Sequence, residues 1–245
     1  MKRSSVPPPP PAADLQEVLA ELERLGTQET RDGYARYGIV GPRAFGVAMA
    51  DLQALARRLG RSHALAGALW RSGWYDARLL AAFVEEPERV TPAQMERWCR
   101  DFDNWGFCDT VCFKLFDQVP HAWAMVAAWR DRDEEFVKRA AFALLASLAL
   151  HEKGGADERF LASLPWIERA AADGRNFVRK GVSWALRSIG RRNRALHAAA
   201  LAAARRLADS AEPAARWVGR DALGDLTRPL VKKQLAAQPR RKRAR

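Results

Sequence analysis

Phe136-Val137-Lys138-Arg139-Ala140 and Phe177-Val178-Arg179-Lys180-Gly181 are two copies of one pattern, set 41 residues apart. At the same offset Val137, Ala141, Leu144 and Leu148 map onto Val178, Val182, Ala185 and Ile189. Apolar residues spaced by three and four define one buried stripe on each of two helices. A weaker third copy, Ala214 through Asp225, carries Arg216 and Arg220 ahead of Ala222-Leu223. Outward from these copies the period stays helical. Leu15, Val18, Leu19, Leu22 and Leu25 open the pattern, with Asp14 placed as an N-cap and Gly26 as a stop. The spacing predicts helices near 14–25, 27–37, 48–60, 63–72, 75–85, 92–102, 104–117, 121–130, 134–150, 157–172, 175–190, 193–208, 212–223 and 227–237. Runs of alternating β-branched residues are absent, so the class is all-α.

A repeat of about 40 residues built from helix pairs is the signature of HEAT and armadillo arrays. Each pair buries its apolar stripe only by stacking on its neighbours, which predicts a solenoid with a concave face. The basic residues sit beside the stripe at corresponding places in each copy, so stacking is expected to make that concave face basic. One repeat domain is expected over residues 14–237. Residues 1–13, with five prolines from Pro7 to Pro11, are read as a disordered arm, and residues 238–245, with five cations, as a disordered basic tail.

A chain of 245 residues, 48% hydrophobic, buries a core of ordinary size. Its 41 Lys and Arg against 29 Asp and Glu leave a formal net charge of +12, which attracts polyanions and places nucleic acid first among partner classes. A surface made arginine-rich by codon bias is the alternative reading of the same charge. Cys99, Cys108 and Cys112 are odd in number and fall in a helical region, which argues against a secreted disulfide framework. His63, His121, His151 and His197 are scattered singly, so neither a metal site nor a cofactor is expected. No apolar run approaches the 18–20 or so residues of a membrane span. A cytoplasmic, nucleoid-associated monomer without membrane contact is the expectation.

Two constellations carry chemistry. In Asn104-Trp105-Gly106-Phe107-Cys108-Asp109, an indole and a carboxylate stand at i and i+4, on one helix face, and together suit a cationic target. Lys180, Trp184, Arg187 and Arg191 fall at i, i+4, i+7 and i+11, a face of cations and an indole that suits phosphate and sugar. By composition alone Trp105 and Trp184 read equally as core residues of a chain with nine tryptophans. Asp109 also reads as a helix carboxylate paired with Arg100 or Lys114.

In order and spacing, four blocks resemble the DNA alkylation repair family, HEAT-like-repeat DNA glycosylases acting on positively charged alkylpurines. They are Tyr34-Ala35-Arg36-Tyr37-Gly38-Ile39 with Phe45-Gly46-Val47; the Trp105 block; Phe136 through Ala141; and Phe177 through Arg187. The resemblance runs over most of 14 to 235 and implies double-stranded DNA as partner. It places the family's Trp-x-x-x-Asp pair on Trp105 and Asp109, its second active-site tryptophan on Trp184 and its DNA-binding arginine on Arg139. It further implies a DNA contact at an N-terminal aromatic that is either Tyr34 or Tyr37. Beside it, the residues themselves suggest phosphate contacts at Lys180 and Arg187, and at Lys153 where it closes the Arg139 helix, a lysine that the helix dipole also explains. It implies hydrolysis of the glycosidic bond of 3-methyladenine- or 7-methylguanine-type lesions by an enzyme that grips the backbone without a closed base pocket. Not all members are active, so non-catalytic binding of distorted or branched nucleic acid is the competing expectation. Gly106 departs from the family pattern, which has Asp there, and a glycine inside a helix costs about 1 kcal/mol relative to Ala.

Overall fold

Fourteen α-helices and two 3-10 turns account for about three quarters of the residues described by the computed structural model, which are 14–36, 38–39, 43–152, 154 and 156–237. Among the described residues there is no strand. Each expected segment holds a helix, with ends displaced by at most three residues. The terminal arm and tail lie outside the described residues, as do Tyr37 and Lys153. The chain divides between Arg89 and Val90 into two compact units.

The first unit contains α1 (Leu15–Leu25), α2 (Gln28–Arg36), α3 (Met49–Leu59), α4 (His63–Arg71) and α5 (Tyr75–Val84). Asp14 caps α1 as expected, its Oδ1 accepting from the Gln16 N–H at 2.9 Å. Gly26 ends that helix for a different reason from the left-handed turn that glycine usually supplies. Its φ is −69°, and a Cβ there would lie 2.2 Å from the Phe45 carbonyl oxygen. The residue is small because another strand of backbone passes over it.

That strand of backbone explains the first sequence block. Asp76, on the first turn of α5, is fully buried, and its carboxylate accepts from three successive amides: Phe45 at 2.6 Å, Gly46 at 3.3 Å and Val47 at 2.8 Å. The Tyr34 hydroxyl donates to the same group at 3.1 Å, and its ring meets Tyr75 edge-on at 5.3 Å. Three amides can converge on one carboxylate only if the chain turns tightly. Gly46 makes that turn at φ +82°, where an L side chain is strained and would strike the Thr27 carbonyl at 2.4 Å.

The second unit begins with a 3-10 turn's successor, α6 (Pro92–Arg100), and continues through α7 (Trp105–Lys114), a 3-10 turn at Phe116–Gln118, α8 (Ala122–Trp129), α9 (Glu135–His151), α10 (Asp157–Ala170), α11 (Asn176–Gly190), α12 (Arg194–Ala208), α13 (Pro213–Leu226) and α14 (Pro229–Ala237). The single helix expected over 104–117 stops at Lys114. Leu115 leaves the helical region at φ −134°, ψ −60°, and the 3-10 turn carries the chain onward. Helices α7, α9, α11 and α13 pack side by side in that order, while α8, α10 and α12 pack against α9, α11 and α13 as the second layer. This is the paired-helix repeat that the 41-residue period requires. Val137, Ala141, Leu144 and Leu148 on α9 and Val178, Val182, Ala185 and Ile189 on α11 are all buried, so the aligned stripes form the joint between successive repeats. Burying one such Val, Leu or Ile contributes roughly 1.5–3 kcal/mol. Helix α9 is covered on almost every side, from Val137 and Arg139 through Ala149.

Candidate functional site

Successive helices of the inner layer place one face each along a groove of about 640 Å³ in the second unit. Helix α7 supplies Trp105 and Asp109, α9 supplies Arg139 and Leu150, α11 supplies Phe177, Lys180, Trp184, Arg187, Ser188 and Arg191, and α13 supplies Trp217, Asp221 and Asp225. The two constellations expected from sequence therefore meet in one place.

Asn104 starts α7, its side-chain oxygen accepting from the Phe107 N–H at 2.9 Å. Trp105 and Gly106 are consequently the first two helical residues. A glycine in an opening turn, where amides lack helical partners in any case, costs less than the interior penalty expected of Gly106. One turn on, Asp109 meets Arg139 through two parallel contacts: Nε to Oδ1 at 2.9 Å and Nη2 to Oδ2 at 2.7 Å. Arg139 Nη1 also donates to the Phe177 carbonyl at 2.6 Å, tying α9 to both α7 and α11. A planar guanidinium opposite a carboxylate in this fork geometry fixes the carboxylate's plane as well as its position.

Arg139, which the resemblance makes a DNA contact, lines the groove but turns its guanidinium onto Asp109 and the Phe177 carbonyl. Its side chain is 6% exposed against 20% for Asp109, and its donors point at the carboxylate and at a carbonyl. The guanidinium holds the acid that faces the groove. Burial pushes the Asp109 carboxyl above the ordinary Asp value, and the adjacent Arg139 charge and hydrogen bonds act against that rise. Arg139 itself is held above the usual arginine value: burial opposes its charge, but the Asp109 carboxylate more than compensates. Of the two sequence alternatives for Asp109, Arg100 pairs with Glu96 and Lys114 sits over the Phe113 ring.

On α11, Trp184 is half-buried and stacks on Phe113 of α7 with centroids 6.4 Å apart and planes at 24°. Phe113 in turn meets the His151 ring at 4.3 Å. One side of the Trp184 indole is thus packed while the residue still lines the groove, so neither a pure core reading nor a fully exposed one describes it. Lys180 is exposed, and among the described residues its ammonium faces no carboxylate. Arg187 and Arg191 differ from the free cations expected. Arg187 Nε lies 3.5 Å from Asp221, and Arg191 grips Asp225 with Nε at 3.0 Å and Nη2 at 2.5 Å. Ser183 also donates to Asp221. The basic face of α11 is in large part neutralised by its neighbour.

Those acids, with Trp217, are what sequence reasoning missed. Arg179 lies over the Trp217 ring and Ser183 bonds Asp221, both at an offset of 38 residues. Helix α13 starts 37 residues after α11, at Pro213 against Asn176, where α11 starts 41 after α9, so an alignment fixed at 41 passes over Trp217, Asp221 and Asp225. Tyr34, read as a DNA contact, belongs to the Asp76 network of the first unit; burial, then the Asp76 carboxylate, drive its phenol well above the ordinary tyrosine range. Tyr37 and Lys153 fall outside the described residues. Cys99, Cys108 and Cys112 are buried thiols, and among the described residues no cluster of three or more His, Cys, Asp or Glu could hold a metal ion. No helix among them is long and apolar enough to cross a membrane.

Residues 18–226 match the family described as DNA alkylation repair enzyme. No curated protein matches the sequence. Among solved structures, one from "a new family of proteins related to the HEAT-like repeat DNA glycosylases with affinity for branched DNA structures" superposes with a TM-score of 0.75 at 18% identity, covering 95% of this chain and 100% of its own. A designed armadillo repeat protein matches at 17% identity and a TM-score of 0.39, over 89% of this chain and 95% of that one. At 18% identity the first of these speaks for the helical-repeat fold alone, and the match over residues 18–226 shows the family: the chain belongs to the DNA alkylation repair enzyme family.

Proposed function

We propose that this protein is a DNA glycosylase that hydrolyses the N-glycosidic bond of positively charged alkylpurines in duplex DNA, using residues 14–237. The observation that carries the reading is Asp109, oriented by Arg139 and opening onto a groove between Trp105 and Trp184. An alkylated purine such as 3-methyladenine or 7-methylguanine is cationic and leaves without being protonated. The barrier lies in the sugar, where positive charge develops as the C1′–N bond breaks. A fixed carboxylate beside that charge stabilises it without reorganisation and can orient the attacking water. Asp109 has about four lone-pair sites, of which Arg139 occupies two, and the residue lines the groove.

The indoles of Trp105 and Trp184 suit the apolar face of deoxyribose and attract the developing cation by about 0.5–2 kcal/mol each. Lys180 supplies a phosphate contact, and Arg187 supplies a second one after parting from Asp221. The groove is open along its length, so selectivity would come from the leaving group's charge more than from a fitted base pocket. The test is release of free 7-methylguanine or 3-methyladenine from methylated duplex DNA. The wild type is expected to release base, and Asp109→Asn to bind DNA as before while release falls to the blank.

One observation favours a second reading, in which the protein binds distorted or branched DNA without cutting it. Asp109 already satisfies a buried cation, as a purely structural acid would, and the superposable relative is described by its affinity for branched DNA. Salt-dependent DNA binding with no base released by the wild type selects this reading.

A further inference from the structure

Beside the main groove lies a second cavity of about 520 Å³, lined by Pro213, Arg216, Trp217, Arg220 and Asp221. Trp217 and Asp221 line both cavities, so this indole is the partition between them. We infer that the second cavity is a subsite for an unpaired nucleotide of the bound DNA, with the base stacked on Trp217 and its phosphate on Arg220. The inference rests on the DNA-binding part of the proposed function and adds a contact which that reading does not need.

The ring is built to receive a flat partner. The Arg179 guanidinium lies 4.8 Å from the Trp217 ring centroid and holds one side of it. Trp217 lines both cavities and is only half-buried. A paired base shows its edge to a protein, whereas an unpaired base offers the face that an indole stacks on. A volume near 520 Å³ lies within the range of about 300–1,000 Å³ typical of small-ligand sites.

The polar groups around the ring also suit a nucleotide. Arg220 is exposed and has no ion-pair partner among the described residues. Arg216 is spent on the chain itself, its Nη1 donating to the Ser210 and Ala211 carbonyls at 2.8 and 2.7 Å. Arg220 is therefore the cation left for the phosphate. Asp221 adds a carboxylate at the partition, which accepts from exocyclic amines. Adenine, cytosine and guanine carry one and thymine does not. The alkylated nucleotide is not the occupant, because Asp109 lines only the main groove.

The test uses duplex DNA with one unpaired 2-aminopurine, whose fluorescence falls when it stacks on an indole, beside a fully paired duplex. The full-length protein is expected to quench the probe and to bind the bulged duplex about tenfold tighter than the paired one, within the range seen for base–aromatic stacking. Trp217→Leu should abolish the quenching and bring the ratio of bulged to paired affinity down to about one, whatever its effect on paired duplex. Arg220→Ala, at an exposed position, should weaken only the bulged duplex. An unpaired thymine should bind less tightly than an unpaired adenine. Binding of paired duplex with no preference for the bulge overturns the subsite and leaves the glycosylase reading standing. Quenching that survives Trp217→Leu but vanishes in Trp184→Leu moves the base to the main groove and equally overturns it. Failure to bind any DNA removes both readings.

Discussion

Replacing Arg139 with methionine tests whether the guanidinium works on Asp109 or on DNA. Methionine fills similar space without charge. The carboxyl then keeps its burial, which already raises its pKa, and loses the charge that opposed the rise. Removing one partner of a buried pair typically costs 3–5 kcal/mol. An upper bound comes from the carboxyl's other option, which is to take up a proton: from an unfolded value near 3.9 to pH 7 that costs about 4 kcal/mol, at roughly 1.4 kcal/mol per unit. With its side chain 20% exposed, Asp109 should fall below that bound, at about 2–3 kcal/mol. For a unit of this size the loss corresponds to about 4–12 °C in Tm.

The pH dependence distinguishes this cause from loss of packing. A carboxyl whose folded pKa is raised adds no penalty below its unfolded pKa, since both states are then protonated. The penalty grows as pH rises between the unfolded and folded values and is constant above. Arg139→Met should therefore be nearly as stable as wild type at pH 3.5–4 and progressively less so toward pH 8. Base release should move the opposite way, recovering as rising pH ionises Asp109. In the double variant Asp109→Asn/Arg139→Met, stability should return to within about 1 kcal/mol of Asp109→Asn alone. Urea denaturation at several pH values, with base release followed in parallel, measures all of this. A stability loss that is flat with pH, or a double variant no better than Arg139→Met, would refute the reasoning.

Wild-type base release should decline toward acid with a midpoint above the ordinary Asp range, because burial raises the Asp109 carboxyl; a pH–rate profile shows it. Asp173, which accepts from Arg175 and lies 3.0 Å from Lys138 Nζ, is held well below the usual carboxylate range by those partners. Its stabilisation is full above about pH 4 and declines as pH falls toward the depressed value, so Asp173→Asn should lower Tm at pH 7 and lower it by progressively less below pH 4. Tyr34→Phe should cost about 1–3 kcal/mol through the lost hydrogen bond to Asp76 and leave DNA affinity unchanged, by denaturation and by anisotropy. Lys180→Ala should reduce the slope of log K against log salt by about 0.9, as one phosphate contact would.

The helices were legible because their determinants are local and redundant. Leu144 and Leu148 announce a buried stripe whatever packs on it, and Asp14 and Asn104 cap their helices with side chains two or three residues away. The Trp105–Asp109 face and the Lys180–Trp184 face were legible for the same reason, each lying within one helix. What joins helices was not. Nothing within α9 says that Arg139 turns inward to Asp109, 30 residues earlier, rather than outward to phosphate. The acids of α13 escaped because the step from one helix start to the next shortens from 41 to 37 residues. Tyr34 escaped because its partner Asp76 lies 42 residues on, among residues that give no periodic signal of a buried carboxylate.

The pairing of α11 arginines with α13 carboxylates bears on how the protein would search a chromosome. Arg187 and Arg191 arrive at DNA with counter-charges already attached, so each phosphate must displace Asp221 or Asp225 before the attraction is felt. Of the net charge of +12, Lys2, Arg3 and the five cations after Pro239 contribute +7. Long-range capture would fall to the ends of the chain, and the groove would hold undamaged duplex only briefly. On the proposed reading, a surface whose cations must first part from Asp221 and Asp225 would let go of DNA quickly, so that dwell time would matter more than grip.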